Sequence, residues 1–246
     1  RQSGMDQINI DVMAVIPEQT LESYQDTLEK IVSLNPEHIS SYSLIIEPGT
    51  VFGDWEKNGT LKHVDEDVDR QMYEWTGKYL QHMGYQRYEI SNYCRDGMEC
   101  RHNCVYWSGG EYLGLGVNAS SYLTGYRFHV PVSQKTYRSY VDRICVLAEK
   151  ESEGLKKAVQ EMDELEFIDQ RAQMEEFMFL GLRMMAGVSE QEFYQRFGIS
   201  MMEVYGDIIK KYQNMDLLCR RDTGRVALTE KGIDVSNSIL SDFLLN

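Results

Sequence analysis

Ile8-Asn9-Ile10-Asp11-Val12-Met13-Ala14-Val15, then a polar-faced segment from Thr20 to Val32, then His38-Ile39-Ser40-Ser41-Tyr42-Ser43-Leu44-Ile45-Ile46, set the fold class. The first run has the apolar density of a buried strand, and Pro17 with its polar neighbours stops it. Thr20 is a good helix N-cap with Glu22 and Ser23 beside it, and Leu21, Tyr24, Leu28, Ile31 and Val32 recur at helical spacing until Asn35-Pro36 ends the segment. His38 to Ile46 reads as a second strand, closed by Glu47-Pro48-Gly49-Thr50. Strand, helix and strand in this order imply a parallel pair with a crossover helix.

Further along the chain the unit repeats. Asp65 to Met83 is expected to be helical, with Val68, Met72, Trp75, Tyr79 and Leu80 inward, and Gly84 precedes a predicted strand from Tyr85 to Tyr93. A glycine-rich turn from Ser108 to Gly116 leads to a last predicted strand, Leu115 to Tyr122, with Tyr126 to Val130 extended or hairpin-like. From about Tyr137 the pattern becomes mainly helical: Tyr137 to Glu149, Asp163 to Met185, Ser189 to Phe197 and Ser200 to Met215. Leu217 to Gly232 then reads as two short strands around a Thr-Gly turn, in the order of a winged helix. The expected class is α/β, with a partial (β/α) barrel over 1–136 and a mainly helical, winged-helix-like domain over 137–246.

The 246 residues are 42% hydrophobic, enough for a core and a smaller second domain. No run of about 18 apolar residues and no basic-then-apolar leader occurs, so a soluble, cytoplasmic protein is expected. The formal net charge of -14 opposes attraction to phosphate backbones. Lys210, Lys211, Arg220, Arg221, Arg225 and Lys231 supply some positive charge for a DNA-binding module, but Asp207, Asp216, Asp222 and Glu230 offset most of it. Nucleic acid is therefore not expected as a partner. The 5 cysteines, Cys94, Cys100, Cys104, Cys145 and Cys219, include no CxxC pair and argue against a disulfide framework.

The chemistry concentrates in Arg101-His102-Asn103-Cys104-Val105-Tyr106-Trp107, which reads as a loop. Imidazole can ligate haem iron, a thiolate can do so when deprotonated, and aromatic faces stack on a porphyrin. The plain alternative is a hydrogen-bonded structural histidine. Zinc is a further alternative, since Cys94, Cys100, His102 and Cys104 offer the right atoms, but their spacing lacks paired knuckles. His63 and His129 are most simply solvated or hydrogen-bonded. Arg87 can pair with a ligand carboxylate, as guanidinium geometry favours. Asp11 lies near a strand end, where an acid can bond a ribose or merely cap the next helix.

These segments, with Arg87-Tyr88-Glu89-Ile90-Ser91-Asn92-Tyr93 and Glu111 to Tyr122, resemble the HemW family of radical-SAM proteins over nearly the whole chain. The resemblance implies a haem-binding chaperone that in full length also uses S-adenosylmethionine (SAM) and a [4Fe-4S] cluster, and that delivers haem to acceptor proteins, membrane-bound ones included. It implies SAM contacts at Asp11, Ile45 and Ser120. It places haem near His102, Cys104, Tyr106, Trp107 and Arg87, the iron ligand being His102 or Cys104, with His102 the candidate. HNxxYW is a mark of that family, whereas the related oxygen-independent coproporphyrinogen III oxidase, the rival reading, is not marked by it. A winged-helix DNA-binding module ranks last.

Two departures stand out. The three spaced cysteines that hold the family's cluster are not in this sequence, and Cys94, Cys100 and Cys104 lack the CxxxCxxC spacing. A carboxy-terminal fragment without radical chemistry of its own, prone to self-association through an uncovered sheet edge, is the corresponding expectation. In Ala14-Val15-Ile16-Pro17-Glu18-Gln19-Thr20, Val15 and Glu18 stand where the family usually has glycine or a small residue, which predicts loss of a positive-φ backbone. Ser120 likewise stands where the family usually has histidine.

Overall fold

A computed structural model of the chain describes residues 1–130, 133, 137–142 and 165–245. Internal contacts divide it into two units, Arg1–Cys100 and Arg101–Asn246.

In the first unit β1 (Asn9–Ala14) runs parallel to β2 (His38–Ser43), in register from Asn9 opposite His38 to Ala14 opposite Ser43. The crossover is α1 (Leu21–Ser33), which starts as its capping residues dictate: the Thr20 hydroxyl accepts from the Ser23 amide at 3.2 Å and the Ser23 hydroxyl accepts from the Thr20 amide at 3.1 Å. Tyr24, Leu28 and Val32 of this helix bury with Met72 and Leu80 of α3 (Glu66–His82) against Val12, Ala14, Ile39 and Tyr93 of the sheet. Each such apolar side chain contributes roughly 1.5–3 kcal/mol on burial. The end of α3 is set by Gly84 at φ 82: the Tyr85 amide donates to the Leu80 carbonyl and the Gly84 amide to that of Gln81, a Schellman closure.

One element was not foreseen and two local expectations are corrected. A short helix, α2 (Val51–Lys57), follows the Glu47 to Thr50 turn, because the Thr50 hydroxyl caps the Gly53 amide at 3.1 Å. The expected strand from Tyr85 to Tyr93 is two strands, β3 (Gln86–Arg87) and β4 (Asn92–Cys94), paired antiparallel to each other. The chain reverses between them because Glu89 folds back and its Oε1 accepts from the Ser91 amide at 2.8 Å. As a result β4 also runs antiparallel to β2, and the described part of this unit carries a mixed four-stranded sheet, order β1-β2-β4-β3, not a continued parallel winding.

The second unit opens with α4 (Arg101–Trp107), a helix where a loop was expected. The expected strand from Leu115 begins only at β5 (Ser120–Leu123), and Leu115 is exposed. Thr124 and Gly125, at φ 52 and 82, turn β5 back into β6 (Tyr126–His129), and this positive-φ pair suits a tight hairpin. β6 pairs in turn with β7 (Glu166–Phe167). That pairing ties the hairpin to the downstream helical region, so the contact boundary falls at Cys100 while the sequence pattern changes near Tyr137.

The expected helix from Tyr137 is helical over 137–142 and otherwise lies outside the described residues, as does Cys145. The next begins at Gln170 behind its cap Asp169: α5 (Gln170–Gly181). Then come β8 (Val188–Ser189), α6 (Glu190–Phe197), α7 (Met201–Asn214), and the hairpin β9 (Leu218–Arg221) and β10 (Arg225–Leu228) turning at Gly224. β8, β10 and β9 form a small antiparallel sheet, the wing of the expected winged-helix order. Two helices unforeseen in the sequence, α8 (Glu230–Asp234) and α9 (Ser236–Ser241), close the chain. Phe177, Phe193, Phe197, Tyr205 and Phe243 pack edge-on or tilted at 4.7 to 6.0 Å between centroids at the centre of these helices.

Candidate functional site

Two sets of side chains carry the chemistry, one in each unit. In the first, strand alternation sends Val12 and Ala14 to the helix-covered face, while Asn9, Asp11 and Met13 are exposed on the other. The register places His38 and Ser40 of β2 beside Asn9 and Asp11, and Asn92 of β4 beside Ser40. Neighbouring parallel strands usually bury both faces, so a polar face on β1 and β2 is a departure with a reason to be sought.

These polar groups are joined. Asn9 Nδ2 donates to Asp11 Oδ1 at 2.6 Å, and Asn9 Oδ1 meets His38 Nδ1 at 2.7 Å and the Ser40 hydroxyl at 3.2 Å. His38 Nε2 lies 2.9 Å from the Tyr88 hydroxyl, the two rings meeting edge to face. Burial of His38 holds its imidazole below the ordinary 6.5, with the Asp11 charge pulling the other way. At the carboxyl ends of the same strands, where open α/β sheets usually bind ligands, Ser41, Ser43, Asp69 and Ser91 line a small hollow together with Ala14, Tyr42 and Ile90.

Arg87 and Ile45 belong to this unit too. Arg87 donates to the Tyr93 hydroxyl, and to that of Tyr73 at 3.2 Å, with its guanidinium 4.9 to 5.0 Å from both ring centres. Burial pushes the Tyr93 phenol up to about 12, against the pull of that guanidinium. Ile45 is 76% exposed and is not part of the core. Val15 and Glu18 hold φ 64 and 66, so the positive-φ loop expected to be lost is present without glycine. Glu18 is fixed there by Lys62 at 2.8 Å, which lowers its carboxyl below the usual range.

In the second unit, α4 converts sequence spacing into geometry. His102 and Tyr106 are one turn apart and their rings meet edge to face at 4.9 Å, which presents an exposed imidazole over an aromatic ring. Tyr106 continues to Tyr112 at 4.5 Å and Tyr112 to Tyr122 at 6.3 Å, so the aromatic row extends beyond the motif. Trp107 is covered by the Arg183 guanidinium at 4.5 Å, and its indole N–H is buried without a hydrogen-bond partner. Cys104 is half-buried. Ser120 sits at the start of β5, its hydroxyl 3.0 Å from His129 Nδ1. Among the described residues no three or more His, Cys, Asp or Glu side chains converge as a metal site, and Cys94 is buried within β4.

The structure thus gathers His102 and Tyr106, and separately ties Asp11 into a polar chain. Asn9, His38, Ser40 and Tyr88 were not singled out in the sequence, although polar Asn9 and Asp11 alternating with apolar Ile10 and Val12 is a signal for a polar face. Tyr112, Tyr122 and Arg183 carry no local signal, since only tertiary folding brings them to α4.

Five of the six basic residues named for the winged-helix region face intramolecular acceptors. Arg220 pairs with Glu190 at 2.6 Å, Lys211 with Asp242 at 2.6 Å and Lys231 with Asp216 at 2.7 Å. Arg221 donates to the Met185 carbonyl, and Arg225 to the Ala186 and Gly187 carbonyls and to Glu192.

Residues 168–235 match the family model described as the HemN C-terminal domain. The fold is shared with coproporphyrinogen III oxidase (HemN) from Escherichia coli, described as a radical SAM enzyme: the TM-score is 0.70 at 17% identity, over 99% of this chain and 56% of that one. Fold and terminal domain together define an α/β protein with the HemN fold. The sequence is also 34% identical over 246 residues to the heme chaperone HemW of Lactococcus lactis subsp. lactis (strain IL1403), covering 100% of this chain and 60% of that protein. It is 33% identical over 244 residues to HemW of Bacillus subtilis (strain 168), covering 99% and 60%. The chain is HemW-like along its whole length, and it spans 60% of the length of these two relatives.

Proposed function

We propose that this chain is the haem-binding part of a haem chaperone, taking up haem at α4 and passing it to acceptor proteins. The observation that carries the reading is the HNxxYW segment folded as a helix turn, with an exposed His102 imidazole set edge-on to Tyr106. An exposed imidazole offers an iron ligand, and flanking aromatic faces suit a porphyrin. His102 is the proposed iron ligand and Cys104 the alternative, with Tyr106 and Trp107 as ring contacts.

In the complete protein, SAM would be held with Asp11 at its ribose and with Ile45 and Ser120 as further contacts. SAM and a [4Fe-4S] cluster supply radical chemistry when bound. Residues 1–136 would form the barrel-derived part and 137–246 the terminal domain.

One observation favours a second reading. The fold likeness to HemN is compatible with an oxygen-independent coproporphyrinogen III oxidase. Titration of haem into the protein, followed at the Soret band, separates the two. The chaperone reading predicts saturable uptake at one haem per chain and no decarboxylation of coproporphyrinogen III. Decarboxylation without haem uptake, in a longer chain that carries a cluster-binding cysteine motif, would favour the oxidase.

A further inference from the structure

The hydrogen-bond chain on the polar face of β1 and β2 has one consistent direction. An ionised carboxylate only accepts, so the Asn9 atom 2.6 Å from Asp11 Oδ1 is the amide nitrogen. The other Asn9 atom is then the carbonyl oxygen, an acceptor for both His38 Nδ1 at 2.7 Å and the Ser40 hydroxyl at 3.2 Å. His38 must therefore carry its proton on Nδ1. With the imidazole neutral, Nε2 is left to accept from the Tyr88 hydroxyl 2.9 Å away. His38 and Tyr88 are 5% and 8% exposed, whereas Asp11 is exposed. The chain thus runs from a buried end to a carboxylate on the open face. A surface aspartate ordinarily samples several rotamers, and this one is held by a partner that is itself held by two donors.

We propose that His38 and Asn9 are positioning residues for Asp11: through Asn9 they fix Oδ1, so that Oδ2 is presented to accept a hydrogen bond from a ligand hydroxyl. This rests on the reading of Asp11 as the carboxylate that meets the SAM ribose. It assigns the binding geometry to two side chains that do not touch the ligand. Neutral, Nδ1-protonated His38 is the element that sets the direction: moving the proton to Nε2 would face a bare Nδ1 to the Asn9 carbonyl.

The test uses S-adenosylhomocysteine as probe, with binding measured calorimetrically, and the exchange rate of the Asn9 side-chain amide protons by NMR. His38→Asn keeps an N–H directed at Asn9; His38→Leu removes it. The proposal predicts slow Asn9 exchange and affinity within about twofold of wild type for His38→Asn, and fast exchange with about a tenfold loss for His38→Leu, the scale of one hydrogen bond to a charged group. Adding His38→Leu to Asp11→Ala is expected to cost nothing further, since both act through one carboxylate. Additive losses, or slow Asn9 exchange in His38→Leu, would overturn the positioning role. If Asp11→Ala binds the probe as well as wild type does, the ribose reading is what fails, and the exchange rates alone then decide whether His38 orders Asn9.

Discussion

His38 shows how one buried ring converts pH into stability. Its imidazole is held below the ordinary 6.5 by burial, so the folded state binds a proton less readily than the unfolded chain. The stability this contributes is complete above pH 6.5 and is lost as pH falls from there through the folded value. The Asp11 carboxylate, the Asn9 amide and the Tyr88 hydroxyl are the groups that face the ring or act on it, and only Asp11 favours the proton. Urea midpoints for wild type are therefore expected to fall below pH 6.5 more steeply than for His38→Asn; parallel curves would count against a neutral buried imidazole. Val15 stores energy differently. A β-branched residue at φ 64 costs about 1–2 kcal/mol relative to a right-handed backbone. Val15→Gly relieves that while losing partial packing and gaining unfolded-chain entropy, so the net change should stay within about 1 kcal/mol. A loss of about 3 kcal/mol, typical of deleting a well-packed side chain, would show the conformation to be unstrained. In the sequence the replacement of small residues at Val15 and Glu18 is visible, but that the backbone would keep its positive φ is not. The surrounding capped helix and the Lys62 pair act on the loop only in the folded chain.

Elements that end at strong local signals were legible. Thr20, Asp65, Asn35-Pro36 and Gly84 set the limits of α1 and α3, and the Asp222 to Gly224 turn set the β9–β10 hairpin, because capping and turn chemistry are encoded within a few residues. α4 was not legible. At seven residues it spans about two turns, too short for a periodicity to emerge from a glycine-rich setting. Its i,i+4 pairs, His102 with Tyr106 and Asn103 with Trp107, were the available hint. The break between β3 and β4 was hidden for a related reason: a glutamate side chain that returns to the Ser91 amide is not a standard turn signal. At the wing, Gly187 holds φ 70, and a Cβ there would be driven into the Val226 carbonyl of β10. Gly187→Ala is expected to destabilise the protein by about 2 kcal/mol or more through strain and overpacking together. A urea midpoint unchanged in that variant would show that β8 and β10 are not held in this register.

Across the whole molecule, the family was readable from HNxxYW and its flanks, and the class from strand, helix and strand, whereas the pairing of both units' small sheets depended on long-range contacts. A net charge of -14, with the wing's arginines turned to carbonyls and carboxylates of their own chain, gives no electrostatic drive toward phosphate backbones. Among the described residues no helix is long and apolar enough to cross a membrane. The exposed chemistry of the protein lies on α4 and on the polar face of β1 and β2. Whether α4 takes the haem is decided by a Soret titration of haem into wild type, His102→Ala and His129→Ala in parallel. Saturable uptake is expected in wild type and in His129→Ala, and at least about tenfold weaker uptake in His102→Ala, the loss expected when one iron ligand is removed. Equal affinities in the two variants would take His102 out of the site, and absence of uptake by all three would contradict haem binding by this chain.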